Sequence, residues 1–337
     1  MKYIGLDVHK DNTVACAISA GGKAVMSAEV RTNAAGLQEL HERMHGGEYM
    51  VMMESSTYSY VVYRFFVKLG VETHVVHARS LKMITDTDKK TDRKDAEWIG
   101  RCLRLWKNNE IELSMSYFPT EGEAELKDLC RYKEELSNKL GDEVRRIRSH
   151  MHRNCLELPP QFQDISTKKS RDFLTTRYEN DYTLMRRLNG YSALLEESNR
   201  VAAEIERRGE SDLNVELLES IPGIGRQTAV QLMSMIIDVS RFQDAEKLCA
   251  YFGMVPRVRD SGGKEHHGRM TRNGDPMMRS IIERITLSHV RFCDSSITAY
   301  FRRKSKELGH KKALMSAARK MLAVIHAVLL RGTPFTA

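Results

Sequence analysis

Six cysteines are scattered through the 337 residues, at 16, 102, 130, 155, 249 and 293, and no two stand at Cys-x-x-Cys spacing. That absence argues against a structural zinc site and fits reduced thiols, mostly in a core. Also missing is any run approaching the roughly 18 to 20 apolar residues a membrane span requires, so no membrane partner is expected. The chain enters a strand at once through Met1-Lys2-Tyr3-Ile4-Gly5, from which we expect no signal peptide and a cytoplasmic location. Nor does a glycine-rich turn follow the first acidic residue, where Val8-His9-Lys10-Asp11 stand instead. This sets aside actin-like ATPases and sugar kinases, whose phosphate turn needs glycine at that point.

With 41% hydrophobic and 29% charged residues, the composition is that of a soluble globular protein, with length for about two or three domains. The net charge of +8 is unevenly spread: residues 257–337 hold 17 Lys and Arg against 6 Asp and Glu, a net of +11, leaving −3 for the first 256. A basic end beside a more acidic one fits a polyanion held by one part and processed by the other. A merely solvated surface gives the same asymmetry.

Residues 2–31 alternate as three short strands, Tyr3–Asp7, Thr13–Ser19 and Ala24–Val30, with Lys10-Asp11-Asn12 and Gly21-Gly22 as turns. The spacing then predicts a helix at about 33–45, a strand ending in Glu54 and a helix at about 58–69 with Val61, Val62, Phe65, Phe66 and Leu69 inward. A strand Val71–Val76, a helix near 79–84 and a helix over about 92–106 follow. Three antiparallel strands and then alternating helices and strands give the order of a ribonuclease H-like α/β domain.

Four carboxylates fall at the ends of these elements. Asp7 closes the first strand, Glu54 closes Tyr49-Met50-Val51-Met52-Met53, and Asp92 and Asp95 stand three apart where the last helix begins. Acids so placed converge and repel unless a cation sits among them, and oxygen ligands suit Mg²⁺, with Mn²⁺ as the alternative. Two metals held this way act on phosphodiesters. Taken singly, Asp92 is equally an N-cap and Asp95 a favourable first-turn charge. Asp86 and Asp88 lack the register and read as loop charges, and the methionines read as core filler. His9 and Lys10 read as exposed turn residues, with phosphate contact as the alternative.

From about 121 to 210, Leu126, Leu129, Leu136, Leu140, Val144, Ile147 and Met151 recur at helical steps, Pro159-Pro160 break the pattern, and Tyr178, Tyr182, Met185, Leu188, Leu195, Ala202 and Ile205 resume it. These segments suit an antiparallel pair or a coiled coil between protomers. Arg145, Arg146, Arg148, His150, His152 and Arg153 lie on nucleic acid or on a solvated helix face. Farther on, Ser220-Ile221-Pro222-Gly223-Ile224-Gly225-Arg226 reads as the turn of a helix–hairpin–helix. Gly223 and Gly225 would let backbone N–H groups and Arg226 approach a phosphate at the positive end of the second helix, with a purely structural helix turn as the alternative.

Three blocks, Gly5-Leu6-Asp7-Val8-His9-Lys10, Met53-Glu54-Ser55-Ser56 and Lys90-Thr91-Asp92-Arg93-Lys94-Asp95-Ala96, resemble the DEDD motifs of the insertion-sequence one-ten transposases. These are bridge-RNA-guided DNA recombinases with a RuvC-like N-terminal domain. The succession Phe242–Arg257, Asp260-Ser261-Gly262-Gly263-Lys264 and Gly268–Gly274 resembles the family's C-terminal transposase domain. The resemblance spans nearly the whole chain, in the family's order and with its motif acids identical.

The resemblance implies that Ser261 is the DNA nucleophile and that Asp7, Glu54, Asp92 and Asp95 hold Mg²⁺, two ions per site. It implies a covalent phosphoserine intermediate, donor and target DNA as substrates, and a structured noncoding guide RNA. It also implies a homo-oligomer, dimer or tetramer, in which Ser261 of one subunit meets the acids of another. Arg257, Arg259, Lys264, Arg269 and Arg272 surround the serine and neutralise phosphates. The fold class is then α/β plus all-α: a ribonuclease H-like (RuvC-like) mixed-sheet domain at 1–115, a helical coiled-coil insert at 116–210 and a mainly helical domain at 211–337. The alternatives are a two-metal junction-resolvase-type endonuclease in which water attacks, and a non-catalytic nucleic-acid scaffold, against which the complete acid set argues.

Overall fold

Alternation with a period of two builds the first sheet, because successive side chains of a strand serve opposite faces. The computed structural model describes residues 1–44, 46–78, 81, 91–261, 264–270 and 274–336, with backbone alone for 256–261 and 264–270. The chain folds as two units, Met1–Pro119 and Thr120–Ala337. In the first, β1 (Lys2–Val8), β2 (Asn12–Ser19) and β3 (Ala24–Arg31) form an antiparallel meander. Strands β4 (Tyr49–Glu54) and β5 (Glu72–Val76) add in parallel beyond β1, giving the order β3-β2-β1-β4-β5. This mixed sheet, with the helices that cover it, is consistent with a ribonuclease H-like domain.

One face, carrying Ile4, Leu6, Val8, Val51 and Met53, packs on α1 (Ala34–Met44) and α2 (Ser59–Lys68) through Leu37, Leu40, Val62 and Phe66. The opposite face, with Tyr3, Cys16, Met50 and Met52, is covered by Ala96, Ile99, Cys102 and Leu103 of α3 (Asp92–Lys107). Of the five residues expected on the inner side of α2, Val61 is 55% and Leu69 41% exposed. Ser59, Val62 and Phe66 are buried, a single narrow stripe, because a ten-residue helix lying on a sheet turns most of its circumference to solvent. The helix expected near 79–84 lies almost wholly outside the described residues, as do Asp86 and Asp88.

Backbone meets backbone where α3 crosses β1. A Cβ on Gly5 would lie 2.1 Å from the Ala96 carbonyl oxygen and 2.2 Å from the Gly100 nitrogen. Only glycine lets the helix come this close. We expect Gly5→Ala to destabilise the first unit by about 3 kcal/mol, read as a lowered urea midpoint, since neither colliding group is a flexible side chain.

In the second unit, Thr120 and Glu123 form a reciprocal capping box that opens the 33-residue helix α4 (Glu121–Arg153). It ends at Asn154 and Cys155, the latter at φ 51°, ahead of the two prolines. After α5 (Lys168–Arg177), helix α6 (Tyr182–Arg208) returns along α4. Glu125 pairs with Arg208 at 2.8 Å, Glu143 with Arg187 at 2.8 Å and His150 with Asp181 at 2.7 Å, so the partner number falls as the other rises. The antiparallel pair is thus made within one chain. His150 is buried in that seam and Arg148 donates to the Gln163 carbonyl, so both have structural partners.

At the root of the pair, Cys130, Leu136, Val201 and Ile205 share one core with Ile221, Val230, Phe252, Ile281 and Met321. The later elements are α7 (Leu213–Glu219), α8 (Arg226–Ile236), α9 (Ala245–Tyr251), the hairpin β6 (Pro256–Ser261) and β7 (Lys264–Met270), α10 (Pro276–Phe292), α11 (Ser296–Leu308) and α12 (His310–Arg331). The expectation that no segment is fit to span a membrane is corrected by α12, which is long and apolar enough by length and composition. Between Ala313 and Leu330 its only charged residues are Arg319 and Lys320. Ala317, Ala318, Met321, Leu322 and Ile325 are nevertheless buried in the unit's core, which accounts for that apolarity. All six cysteines are free, and Cys16, Cys102, Cys130 and Cys249 are buried. Burial pushes the thiols of Cys102 and Cys130 up to about 11, so they stay protonated and inert.

Candidate metal centre and nucleic-acid contacts

The two central strands deliver two of the expected acids together. In the parallel pairing of β1 and β4, Leu6 stands opposite Met53, so Asp7 and Glu54 are the next residues of each strand. Asp7 follows Tyr3 and Gly5, and Glu54 follows Met50 and Met52, which assigns both to the face under α3. Beyond Glu54 the chain folds back: the buried Ser59 hydroxyl donates to the Glu54 carbonyl at 2.7 Å and accepts from the Ser56 N–H at 2.8 Å.

Helix α3 supplies the other two acids from its first turn. Thr91 caps it, its hydroxyl accepting from the Lys94 N–H at 3.4 Å. The Gly5 crossing fixes how close this turn comes to β1. Oxygens of Asp7 and Asp92 and a ring nitrogen of His9 all lie within 4.8 Å of one another. His9 Nε2 is 3.1 Å from Asp7 Oδ2 and 3.8 Å from Asp92 Oδ2. Glu54 and Asp95 stand outside this tightest group, although the Asp95 charge is felt at Asp7. Burial holds the Asp7 carboxyl above its usual range. His9 opposes that rise, and the negative charges of Asp92 and Asp95 add to it. Among the described residues His9 is the sole basic partner of Asp7 and Asp92.

Such a donor set fits a divalent cation. Two carboxylates brought together by different elements, one of them desolvated, gain most from a positive ion between them. His9 is exposed and lies just beyond β1, as expected of a turn residue, and its ring also reaches Asp7 and Asp92. The signal in the sequence is its spacing: His9 comes two residues after Asp7 and directly after Val8, the last and inward-facing residue of β1.

In the second unit, Ser261 is the last residue of β6 and is paired with Lys264 of β7. Arg259 pairs with His266, while Gly262, Gly263 and Arg272 lie outside the described residues. A two-stranded hairpin therefore carries Arg257, Arg259, Ser261, Lys264 and Arg269.

Helices α7 and α8 flank the Pro222–Gly225 turn. Gly223 has φ +100°, and a Cβ there would stand 3.0 Å from the His289 nitrogen and the Ile285 carbonyl oxygen. The buried His289 reinforces that seat, its Nδ1 lying 2.7 Å from the Pro222 carbonyl oxygen. Gly225 differs. It caps α8 with no side-chain hydrogen bond, and a Cβ placed on it would meet nothing within 4 Å. Arg226 next to it is tied to Glu219 at 3.1 Å.

A mixed sheet with acids at the ends of its central strands and in the first turn of the covering helix is the arrangement of a DEDD-type domain, a class whose acids suit a divalent metal. Two family models match the chain: a DEDD-type transposase model over residues 4–155 and the Transposase IS116/IS110/IS902 family over residues 215–302. The chain belongs to this family of transposases, enzymes that cut and rejoin DNA. It is 22% identical to the transposase for insertion sequence element IS1111A of Coxiella burnetii, over 98% of this chain and 90% of that protein. It is 23% identical to the uncharacterized 44.8 kDa protein of insertion element IS116 of Streptomyces clavuligerus, over 99% of this chain and 96% of that one. A pilin gene-inverting protein of Moraxella lacunata is 31% identical over 37% of this chain and 40% of its own length.

Proposed function

We propose that this transposase moves its own insertion element by strand exchange, with Mg²⁺ held by Asp7, Glu54, Asp92 and Asp95 and with Ser261 as the nucleophile. The observation that supports the metal centre most is the approach of Asp7 and Asp92 to within 4.8 Å from separate elements. The Ser261 hydroxyl loses its proton as its oxygen bonds the scissile phosphorus, and the bond from phosphorus to the departing DNA oxygen breaks. A strand-end hydroxyl then attacks the phosphoserine, releases Ser261 and restores a phosphodiester without outside energy. Bound to the acids, Mg²⁺ supplies electrostatic stabilisation of the charge that develops on the phosphoryl and leaving oxygens.

Residues 1–115 would carry the metal centre, 116–210 the assembly of a dimer or tetramer, and 211–337 the nucleophile and DNA grip, in a cytosolic complex with a structured guide RNA. Ser261 ends a hairpin strand, and the basic residues near it in the sequence suit phosphate neutralisation. The relative named for gene inversion favours reciprocal exchange over simple hydrolysis, the outcome expected of a water-using nuclease. Two experiments test the proposal: trapping a protein–DNA adduct on a denaturing gel, and sequencing RNA that co-purifies with the full-length protein. A wild-type protein that cleaves DNA without any adduct would favour the nuclease.

The helix–hairpin–helix contact is tested by opposing effects in one variant. Aspartate at position 225 is a better N-cap than glycine and meets no neighbour, so Gly225→Asp should raise stability by a few tenths of a kcal/mol. Its charge should repel a phosphate at the same helix end and weaken duplex binding on the order of tenfold. Unchanged affinity in a filter-binding assay would remove this turn from the DNA surface.

A further inference from the structure

We propose that His9 is a nitrogen ligand of the metal centre and biases that centre toward Mn²⁺ relative to Mg²⁺. The inference rests on the reading that Asp7 and Asp92 hold a divalent ion, and it adds a residue outside the four acids. Ligand atoms at about 2.1 Å from a six-coordinate ion lie about 3 Å apart when adjacent and about 4.2 Å apart when opposite. His9 Nε2 stands 3.1 Å from Asp7 Oδ2 and 3.8 Å from Asp92 Oδ2, inside that range, and all three ligand atoms fall within 4.8 Å.

The ring is directed there by its backbone. The His9 N–H donates to the Asn12 carbonyl at 3.0 Å, and the His9 carbonyl accepts from the Thr32 hydroxyl at 2.9 Å. Thr32 is in turn linked to the buried Thr13 hydroxyl at 2.9 Å. Val8, the last residue of β1, is buried against the α1 and α2 side, and His9, the next residue, brings its ring to Asp7 and Asp92. A surface histidine merely drawn to carboxylates needs none of this anchorage. The ring nitrogen also accounts for what the two acids face before metal arrives, since His9 is their sole basic partner among the described residues.

An imidazole in the set changes selectivity. Mg²⁺ favours oxygen and keeps its waters, whereas transition-metal ions accept nitrogen readily. Coordination through Nε2 requires that this nitrogen carry no proton, so the metal-bound ring is the Nδ1–H tautomer.

The test uses the full-length protein with Mn²⁺ alone, read by pulsed electron paramagnetic resonance with ¹⁴N- or ¹⁵N-labelled histidine, beside Mn²⁺ and Mg²⁺ affinities from competition titration. Wild type should show histidine-nitrogen coupling to Mn²⁺. His9→Ala should lose it, weaken Mn²⁺ on the order of tenfold and change Mg²⁺ by no more than about twofold. The His9 side chain is half-exposed, so the variant should fold as wild type, and an unchanged melting temperature verifies this. Coupling that persists in His9→Ala, or that is missing in wild type while binding still depends on Asp7, overturns the ligand. Equal loss of both ions overturns the preference. Binding unaltered by Asp7→Asn brings down the metal-centre reading itself, and the inference with it.

Discussion

Replacing Ser261 with alanine is expected to lower strand exchange on the order of 10⁴-fold or more and to leave no covalent protein–DNA adduct. A hydroxyl nucleophile has no substitute in its own step, and deleting such a group removes nearly all of the rate it supports. The variant should fold as wild type, because Ser261 contributes its backbone to the β6–β7 pairing with Lys264 and alanine keeps that backbone. DNA affinity should stay within a few-fold, since phosphate neutralisation falls to the surrounding basic residues. The decisive comparison is a denaturing gel with labelled element-end DNA. A shifted band in wild type that vanishes in Ser261→Ala supports covalent exchange, whereas strand cleavage surviving in the variant would hand the attack to water.

Asp7→Asn is expected to reduce cleavage on the order of a thousandfold while making the metal-free protein no less stable. The second effect follows from the carboxyl's surroundings. Burial, Asp92 and Asp95 together raise the Asp7 pKa above its usual value, with only His9 opposing them. A raised carboxyl favours the folded state at low pH, and that contribution is lost as pH rises through the folded pKa, so at neutral pH the ionised group is a burden. Asparagine lifts it. A divalent ion lifts it too: at a hundredfold excess over its Kd, a bound metal adds about 2.7 kcal/mol. Thermal melts should therefore show Mg²⁺ or Mn²⁺ stabilising wild type and barely moving Asp7→Asn. Equal metal stabilisation of both proteins would place the ion elsewhere.

These two residues are legible in the sequence for different reasons. Asp7 and Glu54 end apolar runs, and a run that alternates over five or six residues announces both a strand and its last position. The described strands and helices of residues 2–76 and 92–107 accordingly agree with the periodicity to within a few residues. Ser261 is legible only through resemblance, because a serine before two glycines has no pattern of its own, and the β6–β7 hairpin that carries it leaves no clear alternation. The pattern makes the α2 face too wide, since hydrophobicity marks which residues prefer burial but not how much neighbouring surface exists to bury them.

By itself the sequence determined the strands and helices of the first sheet, which acids terminate them and which family the chain belongs to, because local periodicity and motif spacing are written along one dimension. The tertiary structure decided the rest: that Gly5 admits α3 close enough for Asp92 to approach Asp7, that His9 joins them, and that Gly223 is seated on α10 while Gly225 stays open. Those outcomes depend on backbone approach between residues 62 to 95 positions apart, and separations of a few ångströms across such distances are set by packing rather than by neighbours in the chain.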